Sequence, residues 1–300
     1  MKVFATAPGE NWILDRISQE WFAKKKEYSA SNIVNSDIIW LIDGYSWQRI
    51  NPTLLETKKV VLTVHHVTPH KFNEQEFKMR DRFVDHYHTP CDQTKDFIKN
   101  YTNKPITVIG YWYNPECWYP LHKQGCRKFL GLPQDDYIIG SFQRDTEGHD
   151  LKSPKLEKGP DLFCDYVERL EKDNLHVLLG GWRRQYVISR LESAGIKYTY
   201  KEMVPLDDVQ KMYAACDLYV VSSRFEGGPQ SLLEAPAMKV PIISTDMGMA
   251  SVTLNKNCIV DVENEIYFPT EEDVEENYNN VQKYNLDTHI EEYLKFFKEV

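Results

Sequence analysis

Leu218–Met238, LYVVSSRFEGGPQSLLEAPAM, reads as a strand, a glycine turn and a helix in immediate succession. Leu218–Val221 is apolar throughout, which predicts a strand covered on both faces, the kind that a parallel sheet requires. Gly227 and Gly228 then turn the chain, and Pro229 is preorganised for the first position of a helix predicted over Pro229–Met238. Strand, turn and helix in this order are the repeating unit of α/β proteins, so the stretch assigns the fold class. Glycines without Cβ let a ligand approach the main chain. The amides of Gly227, Gly228 and Gln230 lie where a helix start points free N–H groups and its positive dipole end, so a phosphate is the expected occupant. Glu226 precedes the turn and Glu234 is placed about a turn and a half inside the helix. Eight helical residues would separate them by roughly 12 Å. They therefore address different parts of one ligand and do not flank one bond as glycosidase carboxylates do.

The same rhythm extends in both directions. Before it, strands are expected at Ile138–Phe142, His176–Leu179 and Lys197–Tyr200, with helices at Gly159–Lys172, Gln185–Ala194 and Leu206–Ala215. After it comes a strand at Val240–Ser244. The first part of the chain repeats the pattern, with strands at Lys2–Thr6, Ile38–Ile42, Val60–Val64, His86–His88 and Ile106–Ile109 and helices at Ile13–Lys25 and Gln93–Asn100. Between the two parts, Tyr111–Asp136 carries Pro115, Pro120 and Pro133 and has linker composition. Two Rossmann-like, doubly wound domains are expected, residues 1–120 and 121–286, facing a cleft between the carboxyl ends of their sheets. Asp145–Ser153 (DTEGHDLKS) reads as a solvated loop, and Asp287–Lys298 as a final polar helix.

Composition narrows the function classes. The 300 residues are 42% hydrophobic and 27% charged, a globular balance, and the net charge is −9. Residues 1–120 carry 15 Lys and Arg against 14 Asp and Glu, while residues 121–300 carry 21 against 31. That acidic balance argues against nucleic acid as a partner. Six cysteines are scattered singly, which excludes CxxC zinc and redox motifs and suits reduced thiols. No apolar run is long enough for a membrane span or a signal peptide, so a cytoplasmic protein is expected. His65, His66, His70, His86 and His88 lie within 24 residues, but adjacent side chains on a strand face opposite ways, so no metal is expected. Ala7–Asn11 (APGEN) follows the first strand. A turn at Gly9, with Glu10, would let acceptor or donor approach the helix that starts near Trp12. Lys24, Lys25 and Lys26 form a small basic cluster that would add about 1 kcal/mol per lysine at an anionic lipid surface, a peripheral contact at most.

Ser223–Ala235 (SRFEGGPQSLLEA), followed by VPIISTDMG, resembles the E-x7-E signature of the family 4 retaining glycosyltransferases, which have the GT-B fold. Val108–Pro120 (VIGYWYNPECWYP) is similar to that family's interdomain segment, with Trp112 in place of a glycine and Asn114 in place of an aspartate. Arg144 and Lys158-Gly159 resemble its Arg and Lys-Gly pair, although thirteen residues separate them here where the family has a handful. VVLTVHH, ending at His66, looks like its strand-end histidine motif. Lys239 stands where the family has a helix-ending glycine, and Pro236 interrupts the helix.

The resemblance implies specific roles. Arg144, Lys158, Gly227, Gly228, Pro229 and Gln230 would hold the donor diphosphate and Glu234 the ribose. Glu226 would hold the sugar hydroxyls at the reacting carbon, with His65 (or its neighbour His66) reaching the sugar from the acceptor domain. The final helix, within residues 287–300, would cross back to the first domain. The implied activity is metal-independent transfer of a sugar, with retention, from a nucleotide-diphospho-sugar to a hydroxyl of a glycan, lipid-linked or other acceptor. UDP is the default and GDP next, and no cofactor is implied. The alternative is a catalytically silent sugar-nucleotide-binding subunit. Oligomeric state is not written in the sequence.

Overall fold

The computed structural model describes residues 1–10 and 13–300; the start of the first helix expected near Trp12 lies outside them. The chain divides into two units, Met1–Trp112 with Leu286–Val300, and Tyr113–Asn285.

The first unit contains β1 (Val3–Ala5), α1 (Ile13–Lys24), β2 (Ile38–Leu41), α2 (Pro52–Thr57), β3 (Lys59–Thr63), α3 (Glu74–Asp81), β4 (His86–Thr89), α4 (Asp92–Ile98) and β5 (Ile106–Val108). Its five strands are parallel and follow sequence order across the sheet. Alternation along β2 divides its side chains between the two faces. Ile39 and Leu41 join Leu55, Phe77 and Ile98 in one core. Trp40 meets Trp21 of α1 edge-on at 5.9 Å and Phe297 of the chain's last helix, Leu286–Glu299, at 5.2 Å. That helix therefore belongs to the first unit, as the resemblance implies.

The second unit contains α5 (Lys123–Leu130), β6 (Tyr137–Ser141), α6 (Pro160–Glu168), β7 (Leu175–Gly180), α7 (Gln185–Ala194), β8 (Lys197–Lys201) and α8 (Leu206–Ala215). It continues through β9 (Leu218–Val221), α9 (Ser231–Ala237), β10 (Ile242–Ser244), α10 (Ala250–Thr253) and α11 (Glu271–Val281). Its parallel strands run β10-β9-β6-β7-β8. Strand order reverses between β6 and β9, the topological switch point where open α/β sheets place ligands beyond the carboxyl ends of their strands.

Three expectations change. The division falls at Trp112/Tyr113, eight residues before the expected boundary at 120. Trp112 donates to Glu20 at 2.7 Å and packs on Tyr293 at 4.7 Å, both in the first unit. The amide of Tyr113 instead donates to the Tyr284 carbonyl at 3.0 Å, and Trp118 packs edge-on against Tyr213 at 5.7 Å, so residues 113–120 go with the second unit. The stretch expected to be linker also contains α5, closed by Gly131 at φ 70°. Finally, α9 begins at Ser231, so Pro229 and Gln230 lie in the turn before it and Glu234 sits in its first turn. Lys239 adopts φ 56°, the left-handed conformation a helix-ending glycine supplies, and the Val240 amide returns to the Ala235 carbonyl at 2.9 Å.

Candidate functional site

The carboxyl ends of β6, β9 and β10 are stitched together by polar side chains. Gln143, just beyond β6, donates from Nε2 to the Lys158 carbonyl at 2.8 Å, and its Oε1 accepts from Ser223 Oγ at 3.2 Å. Ser222 Oγ donates to the Gly159 carbonyl at 2.7 Å, and Thr245 Oγ1, beyond β10, donates to the Ser223 carbonyl at 2.5 Å. The amides of Arg224 and Phe225 donate to the Glu157 carbonyl at 2.9 and 3.1 Å. Arg224 also grips Asp161 with two bonds of 2.7 Å. The turn before α6 is thereby tied to the segment that ends in Glu226.

Two glycines make that approach feasible. Gly159 has φ 60°, and a Cβ on it would overlap the carbonyl oxygen of Ser222. Gly248, at φ 56°, packs against the main chain of Glu226 and Gly227 so tightly that a Cβ would overlap the Gly227 carbonyl. The glycine turn is therefore backed by the TDMG segment.

Lys158 Nζ is ion-paired with Glu226 Oε1, the two side chains being 19% and 11% exposed. Arg144 comes into the same neighbourhood through a feature hidden in the sequence. Residues 145–155 close into a narrow loop: the Lys155 amide donates to the Asp145 carbonyl at 2.7 Å, and Thr146 bridges antiparallel to Pro154. The thirteen intervening residues therefore fold out and back. Burial, then the nearby charge of Lys158, lowers the Lys155 ammonium below its ordinary value, and Arg144 adds to this. Three cations thus share one region, with Arg144 Nε donating to the Thr146 carbonyl at 3.0 Å and its guanidinium 6.0 Å from the Trp182 ring.

The base of this loop is not the solvated insertion expected of Asp145–Ser153. Asp145 and Thr146 are buried, and Arg184 Nε bonds Asp145 Oδ2 at 2.5 Å while its Nη1 bonds the Gly180 carbonyl at 2.8 Å. Within residues 145–155, His149–Lys152 at the tip are exposed and the flanking residues are half-buried or buried. Glu234 is buried in the same unit, and its Oε2 accepts from the Tyr213 hydroxyl at 3.2 Å.

The first unit treats its expected residues differently. His65 is engaged at both ring nitrogens: Nε2 bonds the Ile42 carbonyl at 2.6 Å, and Nδ1 pairs with the Tyr111 hydroxyl. Nε2 must carry the proton, because a carbonyl only accepts. The ring is thus held at the end of β3 by partners in its own unit. The amides of Gly9 and Glu10 donate to the two carboxylate oxygens of Asp15, each at 2.8 Å. Those two donors are engaged by Asp15 of α1. The Glu10 carboxylate accepts from the Tyr45 hydroxyl at 3.3 Å. Lys24 and Lys25 are ion-paired with Asp287 and Glu291 of the last helix, which offsets the basic cluster. Among the described residues, no group of three or more His, Cys, Asp or Glu is arranged to hold a metal ion, and no helix is long and apolar enough to cross a membrane.

Gln143, Lys155, Asp161, Ser222, Ser223, Tyr213 and Thr245 were not expected in the site. Ser222 and Ser223, at the end of an apolar strand and ahead of the glycine turn, carried the one local signal. The others are assembled only by the sheet's switch point.

The two parallel sheets with flanking helices are those of the GT-B glycosyltransferase fold. HepE of Anabaena, solved in complex with UDP and glucose, superposes with a TM-score of 0.76 at 12% identity, over 99% of each chain. Residues 151–283 match the family described as Glycosyl transferases group 1. Over 138 residues the chain is 30% identical to TuaC of Bacillus subtilis (strain 168), assigned as a teichuronic acid biosynthesis glycosyltransferase, a match spanning 45% of this chain and 31% of TuaC. Over 161 residues it is 27% identical to the lipopolysaccharide core biosynthesis mannosyltransferase LpsB of Rhizobium meliloti (strain 1021), spanning 50% of this chain and 43% of LpsB. The chain thus spans less than half the length of these curated relatives. The matched region contains Lys158, Glu226–Gln230 and Glu234, whereas Gly9, Glu10, His65 and Arg144 lie outside it.

Proposed function

We propose that this chain is a retaining glycosyltransferase that moves a sugar from a nucleotide-diphospho-sugar to a hydroxyl of a glycan or lipid-linked acceptor. The Lys158–Glu226 ion pair carries the reading. A donor whose sugar–phosphate junction lies over that pair would meet a cation on its phosphate side and a carboxylate on its sugar side. As the glycosidic bond breaks, negative charge grows on the departing diphosphate and positive charge on the sugar ring. Lys158 and Arg144 would stabilise the first and Glu226 the second. The acceptor hydroxyl would then attack from the face the leaving group vacates, which gives retention. The turn at Gly227–Gln230 contributes its main chain, and Glu234 takes the ribose hydroxyls. With α9 only seven residues long, the side-chain cations supply more of the anion binding than the helix end.

UDP is the favoured base, a choice supported by the UDP and UDP-glucose complexes of HepE. GDP is next. Catalysis rests on positioning and fixed charge with no metal step, so activity is expected to survive EDTA. The six cysteines, scattered singly along the chain, suit a reducing cytoplasm.

Release of UDP from UDP-glucose and UDP-N-acetylglucosamine, and of GDP from GDP-mannose, tests the activity, and NMR of the product's anomeric configuration tests retention. A second reading, a catalytically silent donor-binding subunit, is favoured by the internal engagement of His65 and of the Gly9 and Glu10 amides. Tight nucleotide binding without turnover of any donor, even to water, would select it.

A further inference from the structure

Tyr213 of α8 donates to Glu234 Oε2 at 3.2 Å from within a closed aromatic cage. Its ring is met by Trp118 at 5.7 Å, Phe142 at 4.9 Å and Tyr219 at 4.8 Å. Two strand glycines make room for the cage. A Cβ on Gly140 would come within 3.0 Å of Tyr219 and 3.3 Å of Phe142, and one on Gly180 within 2.8 Å of Met212 and 3.0 Å of Phe142.

The two tyrosine hydroxyls have separate partners. The Phe142 amide can only donate, and it does so to the Tyr219 hydroxyl at 3.1 Å. The Tyr213 hydroxyl, on a ring 4.8 Å from that of Tyr219, donates to Glu234. Burial, with Tyr219 and Glu234 beside it, pushes the Tyr213 phenol well above its ordinary value, so it remains a donor at any working pH. A donor whose ring is held among aromatic neighbours and whose hydroxyl bonds a buried carboxylate fixes which way that carboxylate lies.

We propose that Tyr213 is a positioning residue that orients Glu234 for the vicinal hydroxyls of a nucleotide ribose, so that discrimination between ribo- and 2′-deoxyribonucleotides depends on it. The inference rests on the donor-site reading above. A carboxylate held in one plane can accept from both hydroxyls of a cis-diol, whereas one free to turn accepts from either singly. A site built around a hydroxyl rejects the analogue that lacks it, because a buried acceptor is then left unmatched.

Calorimetric titration of UDP, 2′-deoxy-UDP, GDP and 2′-deoxy-GDP into the wild-type protein and Tyr213→Phe tests this. Tyr213→Phe keeps the ring and removes only the hydroxyl. The wild type is expected to prefer the ribonucleotide, and the variant to lose about tenfold in ribonucleotide affinity, with a smaller loss for the deoxy compound, so that the preference shrinks. Tyr219→Phe, which removes a hydroxyl bonded to the Phe142 amide and not to Glu234, is expected to leave the preference near the wild-type value. A wild-type preference that persists unchanged in Tyr213→Phe, or that shrinks equally in both variants, overturns the positioning role and leaves the donor site standing. A wild type that binds no nucleoside diphosphate, or shows no ribose preference, overturns the donor-site reading and this inference with it.

Discussion

The ammonium of Lys158 is ion-paired with the carboxylate of Glu226, two side chains 68 positions apart in the chain. Both lie at the carboxyl edge of one parallel sheet, where strand order reverses. Neither has much solvent to replace the other, so their stabilities are coupled. Lys158→Met is expected to cost about 1–3 kcal/mol by leaving a largely buried carboxylate without its cation. The double variant Lys158→Met/Glu226→Gln is expected to recover part of that loss. Urea denaturation of the wild type, the two single variants and the double variant measures the coupling, and strictly additive losses would count against it.

Gly159 is indispensable for a reason separate from chemistry. Its φ of 60° and its contact with the Ser222 carbonyl leave no place for a Cβ. Gly159→Ala is expected to lower stability by more than about 3 kcal/mol or to prevent folding. Gly195→Ala is the control: its φ is 69°, but nothing lies within 4 Å of the added carbon. That change is expected to cost about 1 kcal/mol, the backbone term alone. Equal melting temperatures for the two variants would refute the contrast.

Arg184 and Asp145 are a buried ion pair that closes the base of the 145–155 loop. Removing one partner strands the other charge. Arg184→Met and Asp145→Asn are each expected to cost about 3–5 kcal/mol by thermal or chemical denaturation. They are also expected to weaken nucleotide binding, because Arg144 and Lys155 are carried on the two ends of the same loop. Nucleotide affinity unchanged in variants that remain folded would separate the loop from the site.

Acid is expected to destabilise the first unit through His88. This histidine is wholly buried: Nε2 donates to the Ile109 carbonyl at 2.9 Å and Nδ1 accepts from Thr63 at 2.9 Å. Burial pushes its pKa down to about 3, with His65, His289 and His86 adding to the effect. The folded state holds it neutral while the unfolded chain takes up a proton below about 6.5. Its contribution is therefore complete above that value and is lost as pH falls toward 3. Between pH 7 and pH 5 the loss is expected to be about 2 kcal/mol. His88→Gln should flatten that dependence in a urea-midpoint series, and an unaltered slope would assign the effect to other groups.

The strands and the longer amphipathic helices were legible because burial imposes a period on the sequence. Gln185–Ala194 and Leu206–Ala215 have the boundaries their patterns predict. The short or polar helices α2, α3 and α11 were not, since few apolar positions mark them. Even so, Thr270 with Asp273 forms a capping box that announces α11. Within the site, the glycine turn and the carboxylates flanking it could be read locally. The Lys158–Glu226 pair, the out-and-back loop that returns Arg144, and the Tyr213 contact to Glu234 could not, because each joins residues that only the sheet topology makes neighbours. His65 and Gly9 show the opposite limit: a motif locates the side chain or turn but not which internal partner occupies it.

The central claim is that the second unit grips a nucleoside diphosphate through Lys158 and Glu234. Isothermal titration of UDP and GDP into the wild type, Lys158→Ala and Glu234→Ala measures this most directly. One of the two nucleotides is expected to bind the wild type, with affinity falling about tenfold or more in each folded variant as a charge-assisted hydrogen bond is lost. Undiminished affinity for both nucleotides in both variants would contradict the account.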